Sequence, residues 1–188
     1  MAAVKAGAFT DCTEKQQERH DKWVNHLVDK DPFVKFMLDN LKKIGCPVDV
    51  KKFFVCQQCP VSGAFDADRN EIVLCADKLY SRDNAGTIMT HELIHAYDNC
   101  RAKLDFRNPI HLACTEVRAA NLSGDCFFKN ELNRGNFAVA KQHQVCVKRR
   151  ASLSLQAVFD IPAAQANKHV DQVYDQCFKD TAPFEYIP

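Results

Sequence analysis

Two histidines, a glutamate between them and a cysteine just beyond lie in one apolar run, TIMTHELIHAYDNC, from Thr87 to Cys100. On a helix the i, i+4 pair His91 and His95 projects from one face, so both imidazoles can reach a single metal ion. Glu92 sits about 100° round the helix from His91, close to such a metal but outside its coordination, where a general base belongs. Zinc held by three protein ligands keeps a fourth position for water and lowers that water's pKa toward neutrality. A carboxylate alongside can take the proton and pass it to a leaving amine. His91-Glu92-Leu93-Ile94-His95 therefore supplies two ligands of one catalytic Zn2+ and the base of a metallopeptidase. Chance alone gives this pattern in about one percent of comparable chains. Ile88, Leu93 and Ile94 add apolar packing, Thr87 or Thr90 can stabilise the helix start, and no proline or glycine interrupts the run.

The third ligand has three candidates. Glu116 stands on a second predicted helix, IHLACTEVRAANLSGD, and two histidines with one glutamate form a known catalytic zinc shell, which makes it the first choice. Asp98 shares the ligand face, although it would serve equally to orient a histidine. His111 precedes Glu116 on the same helix, and ligand chemistry permits all three. Arg101 and Arg118 read as surface or ion-pair residues, one of which could stabilise an oxyanion or Asp98. His20, His26, His143 and His169 lack ligand spacing and read as surface or half-buried side chains.

Several elements must position this helix. TEKQQERHDKWVNHLVDKD has helical spacing, with Thr13 or Asp11 as cap. In DPFVKFMLDNLKKIG, Asp31 caps, Pro32 fits the first turn, and Phe33, Phe36, Met37, Leu41 and Ile44 form an apolar face ending at Gly45. VDVKKFFVC and EIVLC read as strands, and a turn at Asp68 to Asn70 pairs GAF with EIVLC as a hairpin whose edge would accept an extended substrate. After Arg82 the helical signal persists through VAKQHQVCVKRRASLSLQAVF and AAQANKHVDQVYDQCFK. The expected class is α+β. Without repeats or flexible linkers, residues 1–188 read as a single domain: N-terminal helices over 1–45, a catalytic core over 46–126 and C-terminal helices over 127–188.

The 188 residues are 46% hydrophobic, enough for one core, and their net charge of +1 disfavours nucleic acid as a partner. No apolar run approaches the roughly 18 to 20 residues of a membrane-spanning helix. The first residues lack both a secretory apolar region and the acid-poor character of a transit peptide. Ten cysteines nevertheless point to as many as five disulfides made in an oxidising compartment. Together these features point to the mitochondrial intermembrane space. Cys56 and Cys59 in CQQC read as structural cysteines with partners elsewhere, and Lys148 to Arg150 as a solvated face.

THELIHAYDNCR followed by HLACTEVRAANLSGDC resembles the mitochondrial inner-membrane metalloprotease family that matures a mitochondrially encoded ATP synthase proton-channel subunit and assists assembly of the membrane sector. The similarity runs from about Cys46 to the carboxy terminus. It implies a disulfide-rich, zincin-like domain, with a small sheet followed by the active-site helix and a largely helical C-terminal part. It also implies import by the disulfide relay and peripheral residence on the inner membrane, facing the intermembrane space. Carried over, His91 and His95 are zinc ligands and Glu92 is catalytic, while the third ligand stays open. The implied partner is a polypeptide substrate, an ATP synthase membrane subunit. Two rival readings follow from the same resemblance: an assembly chaperone for which proteolysis is dispensable, and, more weakly, a DNA-repair adaptor.

Overall fold

Thr13 opens helix α1 (Glu14–Lys30) with a capping box, its hydroxyl accepting from the Gln16 N–H while the Gln16 side chain accepts from the Thr13 N–H. Asp31 ends α1 and starts α2 (Pro32–Lys43), its carboxylate accepting from the N–H groups of Phe33 and Val34 at 2.9 and 3.0 Å. Gly45, at φ +90, provides the left-handed turn that stops the chain. The buried stripe of α2 is Val34, Met37 and Leu41. It is rotated from the expected face, leaving Ile44 38% exposed. These observations come from a computed structural model that describes residues 9–102, 104–127, 135 and 141–188. The chain divides into two compact units, the first running through Lys103 and the second from Leu104 to Pro188.

In the first unit, VDVKKFFVC splits between two structures. Asp49 accepts from the Lys51 N–H and turns Val50–Phe53 into a short helix, α3, before the chain extends as β2 (Phe54–Gln58). The aspartate offers the backbone a local partner that a strand would not supply. The expected hairpin is present. Strands β3 (Gly63–Asp66) and β4 (Glu71–Cys75) pair antiparallel, with Phe65 opposite Ile72. Their turn is held by the Asp66 carboxylate, which accepts from the N–H groups of Asp68 and Arg69, and by Asn70 at φ 53. Strand β2 runs parallel to β4, and β1 (Thr10–Asp11) adds antiparallel to β2, giving the order β1-β2-β4-β3. Residues of β4 are buried on both faces. Val73 and Cys75 pack with Cys59, Phe9, Val55 and Val61, while Ile72 and Leu74, on the alternate face, are 0% and 1% exposed. Helix α4 (Arg82–Ala102) follows and packs on α2 and the sheet. Disulfides Cys12–Cys56, Cys46–Cys100 and Cys59–Cys75 staple this unit.

The second unit is helical. Asn108 caps α5 (Pro109–Leu122) by accepting from the Ile110 N–H, and α6 (Gln142–Phe159) and α7 (Ala163–Lys179) pack with it. Their shared core includes Val117, Ala120, Val147, Leu155, Val170 and Tyr174, with Cys114–Cys177 and Cys126–Cys146 inside it. The CQQC cysteines thus take separate partners, Cys12 and Cys75. Among the described residues no helix is long and apolar enough to cross a membrane. The class is α+β with five disulfides. Val139 and Ala140, at the expected start of α6, lie outside the described residues.

Candidate active site

Helix α4 begins earlier than its motif suggests. Ser81 caps it, its hydroxyl accepting from the Asn84 N–H, so Thr87 and Thr90 do not start the helix as expected. They sit inside it and donate back to the carbonyls of Asp83 and Gly86. The helix is buried nearly all round in its middle, from Met89 to Asp98. Burial there fixes rotamers and so fixes where the polar side chains point.

His91 and His95 share a face of α4, their rings edge to face with centroids 4.9 Å apart. His91 is half-buried, His95 is 4% exposed, and their ligand-type nitrogens lie within 4.8 Å of each other. Two nitrogens bound to one zinc at about 2.0–2.1 Å in tetrahedral geometry stand about 3.4 Å apart. That spacing falls inside the 4.8 Å within which the two nitrogens lie, so the pair fits such a metal. Glu92, 6% exposed, lies on the adjoining part of the helix surface, against Gly63 of β3. A carboxylate removed from water in this way is suited to proton transfer.

The remaining candidates differ in setting. Asp98, 2% exposed, accepts from Arg101 Nε at 3.1 Å, and the Arg101 guanidinium lies over the Tyr97 ring. That geometry suits an orienting carboxylate. In the second unit His111 is exposed, and its Nδ1 accepts from the Asp105 N–H. Glu116, by contrast, is 6% exposed on the buried stretch of α5. Of the two settings expected for Arg118, surface or ion pair, the structure shows the ion pair, and a buried one. Arg118 is 1% exposed and donates to the carbonyls of Asp180 and Ala182 while pairing with the Asp180 carboxylate at 2.8 Å. Its planar fork matches several acceptors at once, which is why burial is tolerated. His20 is also buried, at 3%, beside Asp21. Lys148 and Arg150 are ion-paired with Asp171 and Asp125.

The hairpin exposes only one edge. Strand β4 lies between β2 and β3, so of the hairpin's two strands only β3 stands at an edge of the sheet. Phe65 and Ile72 are buried at 9% and 0%. Charges placed there would damage the core before they reported on substrate.

The Peptidase M76 family model matches residues 18–185. Among curated relatives, the mitochondrial inner membrane protease ATP23 homolog of Xenopus laevis is 49% identical over 164 residues, covering 86% of this chain and 70% of the relative. The protein of the same name from Homo sapiens is 48% identical, with 86% and 67% covered. The mitochondrial inner membrane protease ATP23 of Malassezia globosa is 38% identical over 190 residues, with 89% and 76% covered. No solved structure matches the chain.

Proposed function

The chain belongs to the peptidase M76 family, and from that premise we propose that it is a zinc-dependent endopeptidase whose centre is the surface of α4 carrying His91, Glu92 and His95. The observation that carries the reading is the pair of imidazoles on one helix face with a buried carboxylate beside them. His91 and His95 are its ligands, and Glu116 is assigned as the third on donor chemistry, two imidazoles and a carboxylate being the set of a catalytic zinc. Zinc, when bound, supplies a Lewis acid that polarises the scissile carbonyl and acidifies water. Glu92 takes the proton from the attacking water and delivers it to the departing amine. Asp98 orients the helix's polar face through Arg101. As a terminal strand of the sheet, β3 is the element that would pair main chain to main chain with an extended polypeptide.

Its place, in this reading, is the intermembrane space, peripheral to the inner membrane. The names of its relatives and the five disulfides support this. The substrate is an ATP synthase membrane subunit, whose assembly the protein also assists.

Elemental analysis and peptide cleavage on oxidised wild type, Glu92→Gln and Glu116→Ala test the proposal together. The wild type should carry one zinc per chain. Glu92→Gln should keep the metal while cleavage falls by about 10²–10⁴-fold. Glu116→Ala should weaken metal retention. A wild type that cannot be loaded with zinc, or a Glu92→Gln chain that cleaves normally, overturns the mechanism. A Glu92→Gln chain that supports assembly while cleaving nothing separates the assembly role from proteolysis.

A further inference from the structure

Gly63 occupies a strand, where glycine weakens pairing and brings no side chain to pack. Gly45, Gly124 and Gly135 have positive φ, but Gly63 does not. Backbone conformation therefore does not account for this glycine, whereas space does. A Cβ at this position would stand 2.8 Å from Ile88 Cγ2, 3.2 Å from Glu92 Oε1 and 3.3 Å from Glu92 Cγ. The first of these separations is well inside the ordinary carbon–carbon contact of about 3.5–4.0 Å. Ile88 cannot swing aside cheaply, because a β-branched side chain in a helix is held to one χ1 rotamer. A methyl group at residue 63 must therefore lift β3 from α4 or displace the Glu92 side chain.

Building on the reading of Glu92 as general base, we propose that Gly63 is a positioning residue for it. The bare backbone lets the edge strand lie directly on α4, and the strand in turn forms the wall against which the Glu92 carboxylate rests. A displacement of about 1 Å in a reacting group can cost about 10²-fold in rate, so even a partial shift is measurable.

The test compares wild type, Gly63→Ala, Ile88→Ala, Gly63→Ala/Ile88→Ala and Glu92→Gln on a quenched-fluorescent peptide selected for cleavage by the wild type. It separates kcat from KM, and elemental analysis gives the zinc held per chain. Gly63→Ala should lower kcat by about tenfold or more, with KM and zinc content unchanged. Adding Ile88→Ala removes the tightest contact and lets the methyl retreat from Glu92. The double variant should therefore have a kcat between those of Gly63→Ala and Ile88→Ala. A residue that matters only for stability would give the opposite order, since the double variant has poorer packing than either single one.

Wild-type kcat in Gly63→Ala, loss of its zinc, or a double variant slower than Gly63→Ala overturns the inference. If Gly63→Ala does not fold, the double variant is read against Ile88→Ala. A lower kcat at equal KM and zinc content supports positioning, and equal kcat overturns it. Cleavage retained by Glu92→Gln removes the underlying reading instead. An inactive Glu92→Gln beside an unimpaired Gly63→Ala removes this inference alone.

Discussion

Removing the Cys46–Cys100 disulfide, by replacing both cysteines with serine so that no odd thiol remains to shuffle, should destabilise the first unit by about 4 kcal/mol. The crosslink joins the chain just past α2 to the last turns of α4 and closes a separation of 54 residues. The chain-entropy relation gives about 4 kcal/mol for a loop of that length, acting on the unfolded ensemble. The folded state should change little, because α2 and α4 pack on each other independently of the crosslink. This pair isolates the entropic contribution better than Cys59–Cys75 does. The latter closes 16 residues, worth about 3 kcal/mol, but its sulfurs sit in the cluster under the sheet and their removal would add a packing loss. The reporter is Trp23, the chain's only tryptophan, which lies on α1 of the same unit. With a urea slope of about 2 kcal/mol per molar, the fluorescence midpoint should drop by about 2 M. A drop below about 0.5 M at unchanged slope would refute the reasoning, because it would mean that the unfolded chain is not restrained by this link.

Thr13→Ala should cost about 1 kcal/mol by breaking the capping box, read from the same Trp23 midpoint; an unshifted midpoint would mean the frayed turn contributes nothing. Tyr174 has a buried hydroxyl without a hydrogen-bond partner among the described residues, and burial, reinforced by Asp175, pushes its phenol up to about 12. Since that lies above the unfolded value of about 10, its contribution is complete below pH 10 and is lost as pH rises toward 12. Tyr174→Phe should flatten the decline of the urea midpoint over that window, and an identical decline in both proteins would sink the assignment. His111→Ala should retain zinc by elemental analysis, because that ring is exposed and turned to the Asp105 N–H; metal loss would restore His111 as a ligand.

Local chemistry made much of the fold legible. The Asp31 cap and Pro32 placed the start of α2, and the periodicity of AAQANKHVDQVYDQCFK matched α7 from Ala163 to Lys179. The β3–β4 hairpin was readable because its turn residues lie beside the strands they join. Pairings distant in sequence were not readable. Strand β1 is only Thr10–Asp11 and exists through its contact with β2, whose nearby Cys56 bonds Cys12. For Arg118 the choice between surface and ion pair stayed open in the sequence, because its acceptors, at Asp180 and Ala182, are brought to it only by the turn after α7. At the candidate site the helix bearing His91, Glu92 and His95 was legible from spacing. The role of Gly63 was not, since nothing local to GAF indicates that a strand will rest on Ile88 and Glu92.

The cysteine pairing bears on how such a chain must be oxidised. As the polypeptide emerges from its amino end, each thiol first meets its nearest predecessor. Joining neighbours in order of appearance would link Cys12 to Cys46, Cys56 to Cys59, Cys75 to Cys100, Cys114 to Cys126 and Cys146 to Cys177. None of these is a native bond. An oxidant that outpaces collapse therefore traps a wholly wrong set, and recovery requires thiolate exchange through mixed disulfides. Conformation must choose the partners first. In the first unit the last native bond that emergence permits is Cys46–Cys100, on the helix of the imidazole pair.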